Sequence, residues 1–296
     1  MDYYNEIKTK LIDDEVYSKV KDYSKEKHKV ITYFEIGKLL YEAGNVYGEN
    51  IIGHYSKKLM IDVGKKYDKS TLFKMRKFYL VFSDEKVAPL VPQLFWSHYL
   101  MLLPIKDKNE INYYINQALL RNLTKRQLQD AIKSKEYQRL PKETKYKLTT
   151  ETEIKVQDLI REPIIIKNNK NYEIVSEKIL QKLILEDIQT FLKELGSGFA
   201  FIGNEYKIKI GGTYNYIDLL LFNYQYNCFV VVELKVTKLK KEHIGQIEVY
   251  MNYIDKNLRN RAQDKTIGII ICKTNNNYVI EYCSDKRIIA KEYELI

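Results

Sequence analysis

The sequence predicts two regions of different class: a mostly α-helical first half, and an α/β second half built on a mixed sheet with flanking helices. Three observations lead there. Apolar residues recur every three to four positions through much of residues 30–135. After residue 195 they gather into short β-like runs, interrupted by one further helical stretch. Between the two, over about residues 138–170, the periodicity loosens around Pro141 and Pro163.

Val30, Ile31, Phe34, Ile36, Leu39 and Leu40 mark the first helix face, and residues 51–63 and 71–82 repeat the pattern. Gly64 separates these last two, and Asp68 or Ser70 can cap the next helix. The pair therefore has the form of a helix–turn–helix, with Lys74, Arg76 and Lys77 along its second member as nucleic-acid contacts. An ordinary helical hairpin carries the same signature. Helices are also expected at 110–120 and at 125–135, the latter opened by a Thr124 cap. One amphipathic segment, 152–161, falls in the loosened stretch and places the junction there. The resulting domains are a helical one over 1–140, a linker over 141–170 and the α/β one over 171–296. In the latter a helix over 176–195 ends at Gly196. Strands are expected at 199–202, 206–210, 216–222, 229–235, 266–272 and 278–283, with a helix over 242–258 between the fourth and fifth.

At 296 residues and 45% hydrophobic, the chain can bury a core in each domain, which excludes disorder along its whole length. It has no run of about 18 apolar residues for a membrane span, and its first residues lack the apolar stretch of a signal peptide, so a cytoplasmic protein is expected. Cys228, Cys272 and Cys283 lie in apolar runs without a CxxC pair and read as reduced, buried thiols. His28, His54, His98 and His243 are scattered, so zinc is not indicated. The net charge of +10 is uneven: residues 1–150 hold 28 Lys+Arg against 19 Asp+Glu, and residues 151–296 hold 21 against 20. A basic first half fits a polyanionic partner such as nucleic acid.

The chemistry concentrates in Ile217-Asp218-Leu219-Leu220-Leu221-Phe222 and Phe229-Val230-Val231-Val232-Glu233-Leu234-Lys235. A hairpin centred between Gln225 and Tyr226 sets Asp218 opposite Glu233. Two carboxylates on one sheet face, about 5 Å apart at Cβ, repel unless a cation stands between them. Lys235 projects from the same face as Glu233 and supplies one; a hard divalent ion such as Mg²⁺ or Mn²⁺ is the other. Asp218 and Glu233 are thus expected as metal ligands, the Leu234 carbonyl as a further one, and Lys235 as the group that assists attack. Gln246 and Tyr250 stand one turn apart on the following helix, beside its core face of Ile244, Ile247, Met251 and Ile254. Glu177 shares a helix side with Leu180, Ile184 and Ile188, where it either completes the metal site or favours the helix N-terminus.

These residues, with FLKELGSGFAFIGNEY (191–206), GQIEVYMNYID (245–255) and IGIIIC (267–272), resemble the YhcG-type proteins of bacteria. YFEIGKLL (33–40), MRKFY (75–79), WSHYLMLL (96–103) and TKRQLQDAIKSKEYQRL (124–140) extend the resemblance through the first half. It implies a winged-helix-like DNA-binding domain joined to a nuclease domain of the PD-(D/E)xK, restriction-endonuclease-like fold, with Asp218, Glu233 and Lys235 in the motif positions. Gln246 and Tyr250 match a QxxxY extension, and Glu177 an acidic position on the first helix. Gln181 stands where an acid is usual, and Glu205 where Gln is usual.

The reading that follows is a metal-dependent nuclease acting on DNA. Expected partners are DNA, a second copy of the chain and components of a restriction or mobile-element system, with no membrane. A non-catalytic DNA-binding or assembly protein using the same fold as scaffold is the alternative. A carboxylate-pair glycosidase is disfavoured, because it has no use for Lys235 between its acids.

Overall fold

The computed structural model describes residues 2–19, 24–48, 50–83, 93–150 and 154–296. The chain divides into two compact units, Met1–Tyr137 and Gln138–Ile296. Among the described residues, no helix is long and apolar enough to cross a membrane.

The first unit consists of α1 (Tyr3–Tyr17), α2 (Ser24–Tyr47), α3 (Asn50–Asp62), α4 (Lys69–Phe82), α5 (Trp96–Leu102), α6 (Lys108–Leu120) and α7 (Lys125–Lys133). Asp68 is the cap of α4, accepting the Thr71 N–H at 2.8 Å, and Thr124 caps α7 in a reciprocal box with Gln127. The apolar faces of α2 and α4 meet through Leu40, Leu72, Met75 and Phe78, all fully buried. Gly37 permits the close approach: a Cβ there would stand 2.2 Å from the Met75 carbonyl oxygen and 2.9 Å from Tyr79 Cβ. Because the obstacle is backbone, Gly37→Ala is expected to cost about 1–3 kcal/mol or more, read as a lower urea midpoint. An unchanged midpoint would refute this packing. A winged helix also has a β-wing; the described residues of this unit contain helices and no strand.

The second unit is a three-layer α/β/α arrangement around a six-stranded sheet of order β1-β6-β5-β4-β3-β2. Its strands are β1 (Ile164–Ile166), β2 (Phe199–Ile210), β3 (Thr213–Asn223), β4 (Cys228–Lys238), β5 (Asp264–Thr274) and β6 (Ile288–Leu295). β2, β3 and β4 pair antiparallel, whereas β4, β5, β6 and β1 run parallel, which gives the expected mixed sheet. After α8 (Lys142–Thr149), the helices α9 (Glu177–Glu186) and α10 (Ile188–Leu195) cover one face, over Val230, Val232 and Leu234. The other face, with Leu220, Val231 and Ile270, is covered by α11 (Lys241–Asn257), and the short α12 (Asn277–Glu281) adds Val279 and Ile280 to that layer. The three cysteines are free and buried; burial pushes the Cys228 thiol up to about 11 and that of Cys272 up to about 12.

Four expectations are corrected. The helix over 176–195 is two helices, because Asp187 leaves helical geometry and its carboxylate accepts the Thr190 N–H at 3.2 Å, competing with the continuous ladder. The runs 199–202 and 206–210 are one strand, with a register shift between Phe201 and Gly203 and a positive φ of 45° at Glu205. Residues 278–283 are not a strand: the place beside β5 belongs to β6, and the chain turns through Asn275–Asn277 into α12. The segment 141–170 contributes β1, parallel to β6. Of the amphipathic segment 152–161, residues 152 and 153 lie outside the described residues; Val156 and Ile160 are core, around a 3-10 turn at Val156–Leu159.

Candidate active site

The site grows out of the β3–β4 hairpin. Asn223 Oδ1 accepts the backbone N–H groups of Gln225 and Tyr226 (3.1 and 3.2 Å), closing the turn and fixing the register. Asn223 then pairs with Cys228, Leu221 with Val230 and Leu219 with Val232. The ladder ends at Leu219–Val232, and Asp218 and Glu233 are the next residue of each strand beyond that pair. There the Asp218 carboxylate crosses to β4: its Oδ2 accepts the Leu234 N–H at 2.8 Å.

Glu233 is 1% exposed. Its Oε2 lies 3.3 Å from Lys235 Nζ, while Oε1 is buried without a hydrogen-bond partner. Lys235, 8% exposed, also lies 3.7 Å from Oε2 of Glu177, the exposed first residue of α9. One turn on, Gln181 donates from Nε2 to the Asp218 carbonyl oxygen at 3.0 Å. A deprotonated acid at this position would face that oxygen as a second acceptor, so Gln181 suits the strand it touches.

Electrostatics follow the burial. Glu233 is pushed up to about 8, first by desolvation and then by the Asp218 charge, with Lys235 and the Asp218 backbone N–H opposing. Asp218 is also raised, by burial first and in part by Glu177 and Glu205; the Leu234 N–H and Lys235 work against this. Burial acts to lower Lys235, but Glu233, Glu177 and Asp218 outweigh it and hold the ammonium above its usual value. Three carboxyl groups thus act on one ammonium.

Of the expected residues, the structure brings Asp218, Glu233, Lys235 and Glu177 together, with Glu177 engaged by Lys235. Among the described residues no three His, Cys, Asp or Glu side chains are gathered as a metal cluster. Gln246 and Tyr250 are joined on α11 by a hydrogen bond of 3.2 Å. In the first unit Lys74 and Lys77 are exposed on α4, whereas Arg76 is half-buried, its guanidinium 6.0 Å from the centre of the Tyr41 ring.

Two neighbours were not read as part of the site by residue pattern. His243, half-buried in the first turn of α11, accepts the Lys240 N–H on Nδ1 at 3.2 Å; burial and then the Lys235 ammonium lower its pKa. At about 100° per residue, 243, 246 and 250 share a stripe of the helix, and that spacing was the available signal. Glu205 occupies the β2 position facing Asp218, between the pairs Asn204–Leu219 and Tyr206–Ile217.

Residues 157–296 match the YhcG PDDEXK nuclease domain, and residues 13–139 match the DUF1016 N-terminal domain. The chain belongs to the YhcG-type family. A relative from Escherichia coli (strain K12), named "Putative nuclease YhcG", is 26% identical over 309 residues, covering 89% of this chain and 82% of its own. Among solved structures, a repair endonuclease from Pyrococcus abyssi is similar at 20% identity with a TM-score of 0.29, over 43% of this YhcG-type chain and 48% of that one. An EndoMS–dsDNA complex is similar at 20% identity with a TM-score of 0.28, over the same shares of 43% and 48%. The YhcG-type chain thus spans about half the length of those two proteins.

Proposed function

We propose that the second unit is a divalent-metal-dependent nuclease that hydrolyses phosphodiester bonds in DNA. The observation that carries this is the state of Glu233: a buried carboxylate, facing a second carboxylate, with one oxygen lacking any partner. Such an atom costs stability unless a cation completes it. Hard carboxylate oxygens fit Mg²⁺ or Mn²⁺, with Asp218, Glu233 and the Leu234 carbonyl as the groups that would hold it. When bound, an ion of this kind polarises a phosphoryl oxygen and lowers the pKa of water.

The remaining roles belong to the chain itself. The Leu234 N–H fixes one oxygen of Asp218, and Gln181 fixes the strand behind it. Lys235 Nζ, already charged, presents donors to the attacking water and to the negative charge that develops on phosphorus-bound oxygen. Glu177 orients that ammonium. Gln246 and Tyr250, bonded to each other, offer a polar pair beside the reacting phosphate. In the first unit, Lys74 and Lys77 supply exposed cations for the DNA backbone.

The test is a cleavage screen of the full chain over linear, nicked, branched and single-stranded substrates with Mg²⁺ or Mn²⁺. Cleavage is expected with metal, absent in EDTA, and on the order of 10³-fold slower or more in Asp218→Ala. Activity that survives both treatments would overturn the assignment. Metal binding that is lost on Glu233→Ala but is accompanied by no turnover on any nucleic acid would favour a scaffold protein instead.

A further inference from the structure

The β2–β3 hairpin carries a face for which the catalytic roles give no use. Lys207 stands opposite Tyr216, and Lys209 opposite Tyr214. Cross-strand pairs share a face, and alternate residues along a strand do too, so all four side chains point the same way. All are exposed, the tyrosines by 53% and 52%. Lys207 Nζ lies 3.8 Å from the centre of the Tyr214 ring, and Lys209 Nζ lies 5.9 Å from it. The reverse face is anchored: Ile208 and Ile217 are buried, and Tyr206 and Ile210 pack against the α11-side cluster. Gly211 and Gly212, at φ 53° and 89°, close the tip with backbone that a side chain would strain. Residues 207–217 contain no acid. The arm therefore begins at the acidic centre and turns wholly basic beyond it. Asp218 follows Tyr216 by two positions, about 7 Å along the strand.

We infer that this arm binds the phosphate backbone of the nucleic-acid substrate beside the scissile bond, Lys207 and Lys209 each contacting one phosphate. The inference rests on the nuclease reading for the identity of the polyanion. Charge commits it to that partner: two exposed cations in an acid-free stretch of hairpin, held within a few residues of an acidic centre, fit a ligand that carries a negative charge at every step. The Tyr214 ring restricts both lysines, so less side-chain freedom is lost on binding. Tyr216 adds a hydroxyl of the kind that bonds phosphate or sugar.

The experiment is equilibrium binding of the full chain to labelled DNA duplex in EDTA, with affinity measured across a salt series. In Lys207→Ala/Lys209→Ala the slope of log affinity against log salt is expected to flatten by about 1.8, or 0.9 for each duplex phosphate released. Affinity at low salt should fall about 10-fold or more. Lys207→Arg/Lys209→Arg should keep the wild-type slope. Lys256→Ala/Lys265→Ala removes the same charge from exposed positions late in α11 and early in β5, and should leave the slope unchanged. Parallel titrations with single-stranded DNA and RNA identify which backbone the arm prefers. No wild-type binding to any of these, an unchanged slope in the double variant, or an equal change in the control pair each overturns the inference. Because binding is read without metal, a chain incapable of cleavage would still report on the arm, while the Asp218→Ala cleavage test reports on the nuclease reading alone.

Discussion

Glu233→Gln is expected to abolish cleavage and, in the same molecule, to raise the thermal stability of the metal-free chain at alkaline pH. The carboxyl is buried beside Asp218, and its pKa stands at about 8, driven there first by desolvation. In the unfolded chain an ordinary Glu titrates near 4.3. Between those values the folded state holds a proton that the unfolded state has released. Stability contributed by this group therefore falls as pH rises from about 4.5 to 8, and the full penalty, on the order of a few kcal/mol, is present above that window. A Gln amide removes the charge; its oxygen can accept from Lys235 and its NH₂ can face Asp218. Wild type should thus lose melting temperature between about pH 5 and pH 9 more steeply than the variant, and the variant should melt several degrees higher at the alkaline end. Millimolar Mg²⁺ should protect wild type by mass action and leave the variant unmoved. A variant that melts no higher than wild type at about pH 9, or that still cleaves, would show that Glu233 is not the site's unmet demand.

The β3–β4 hairpin was legible in the sequence because its causes are local. Alternation along two apolar runs, with a polar turn between them, fixes which side chains meet, and the pairs from Asn223–Cys228 to Leu219–Val232 follow the predicted register. Helices with strong caps, such as α4 behind Asp68 and α7 behind Thr124, were legible for the same reason. What escaped depends on distant partners. β6 reads as surface because it contains Lys291, Glu292 and Glu294; in the fold Lys291 is buried, its ammonium 3.3 Å from Glu162, more than a hundred residues earlier. β1 is only three residues long, and its backbone is steadied by Glu194, which accepts the Ile165 N–H at 3.1 Å and pairs with Arg139 and Arg161. The break at Asp187 is hidden by an apolar periodicity that continues from α9 into α10. Gln181 could be noted as a departure from the family pattern, but its bond to the Asp218 carbonyl needs the helix and strand placed together. Apart from the break at Asp187, which a partner three residues away sets, these misses are elements whose meaning is set by a partner far along the chain.

Lys235→Ala is expected to slow cleavage by about 10²–10³-fold while leaving metal binding in place. The structure separates two roles for this lysine. A general base must give up its proton near the working pH, yet Glu233, Glu177 and Asp218 together hold the ammonium above its ordinary value. Under the proposed function Lys235 is therefore assigned the part of a fixed cation and donor, with Glu177 and Glu233 as its carboxylate partners. Removing it leaves Asp218 and Glu233 present but unbalanced, so the metal-free variant should melt lower than wild type. Added Mg²⁺ should then recover more stability in the variant than in wild type, since the ion becomes the remaining compensating charge. Lys235→Arg should not restore the rate: a planar guanidinium needs more room than a lysine only 8% exposed has, and it would present its donors in a different fan. Paired measurements of cleavage rate and of melting temperature against Mg²⁺ decide the matter. Cleavage by Lys235→Ala within about 10-fold of wild type would remove the lysine from the chemistry. Loss of Mg²⁺ protection together with activity would make it a structural prop of the metal site rather than the group that meets the developing charge.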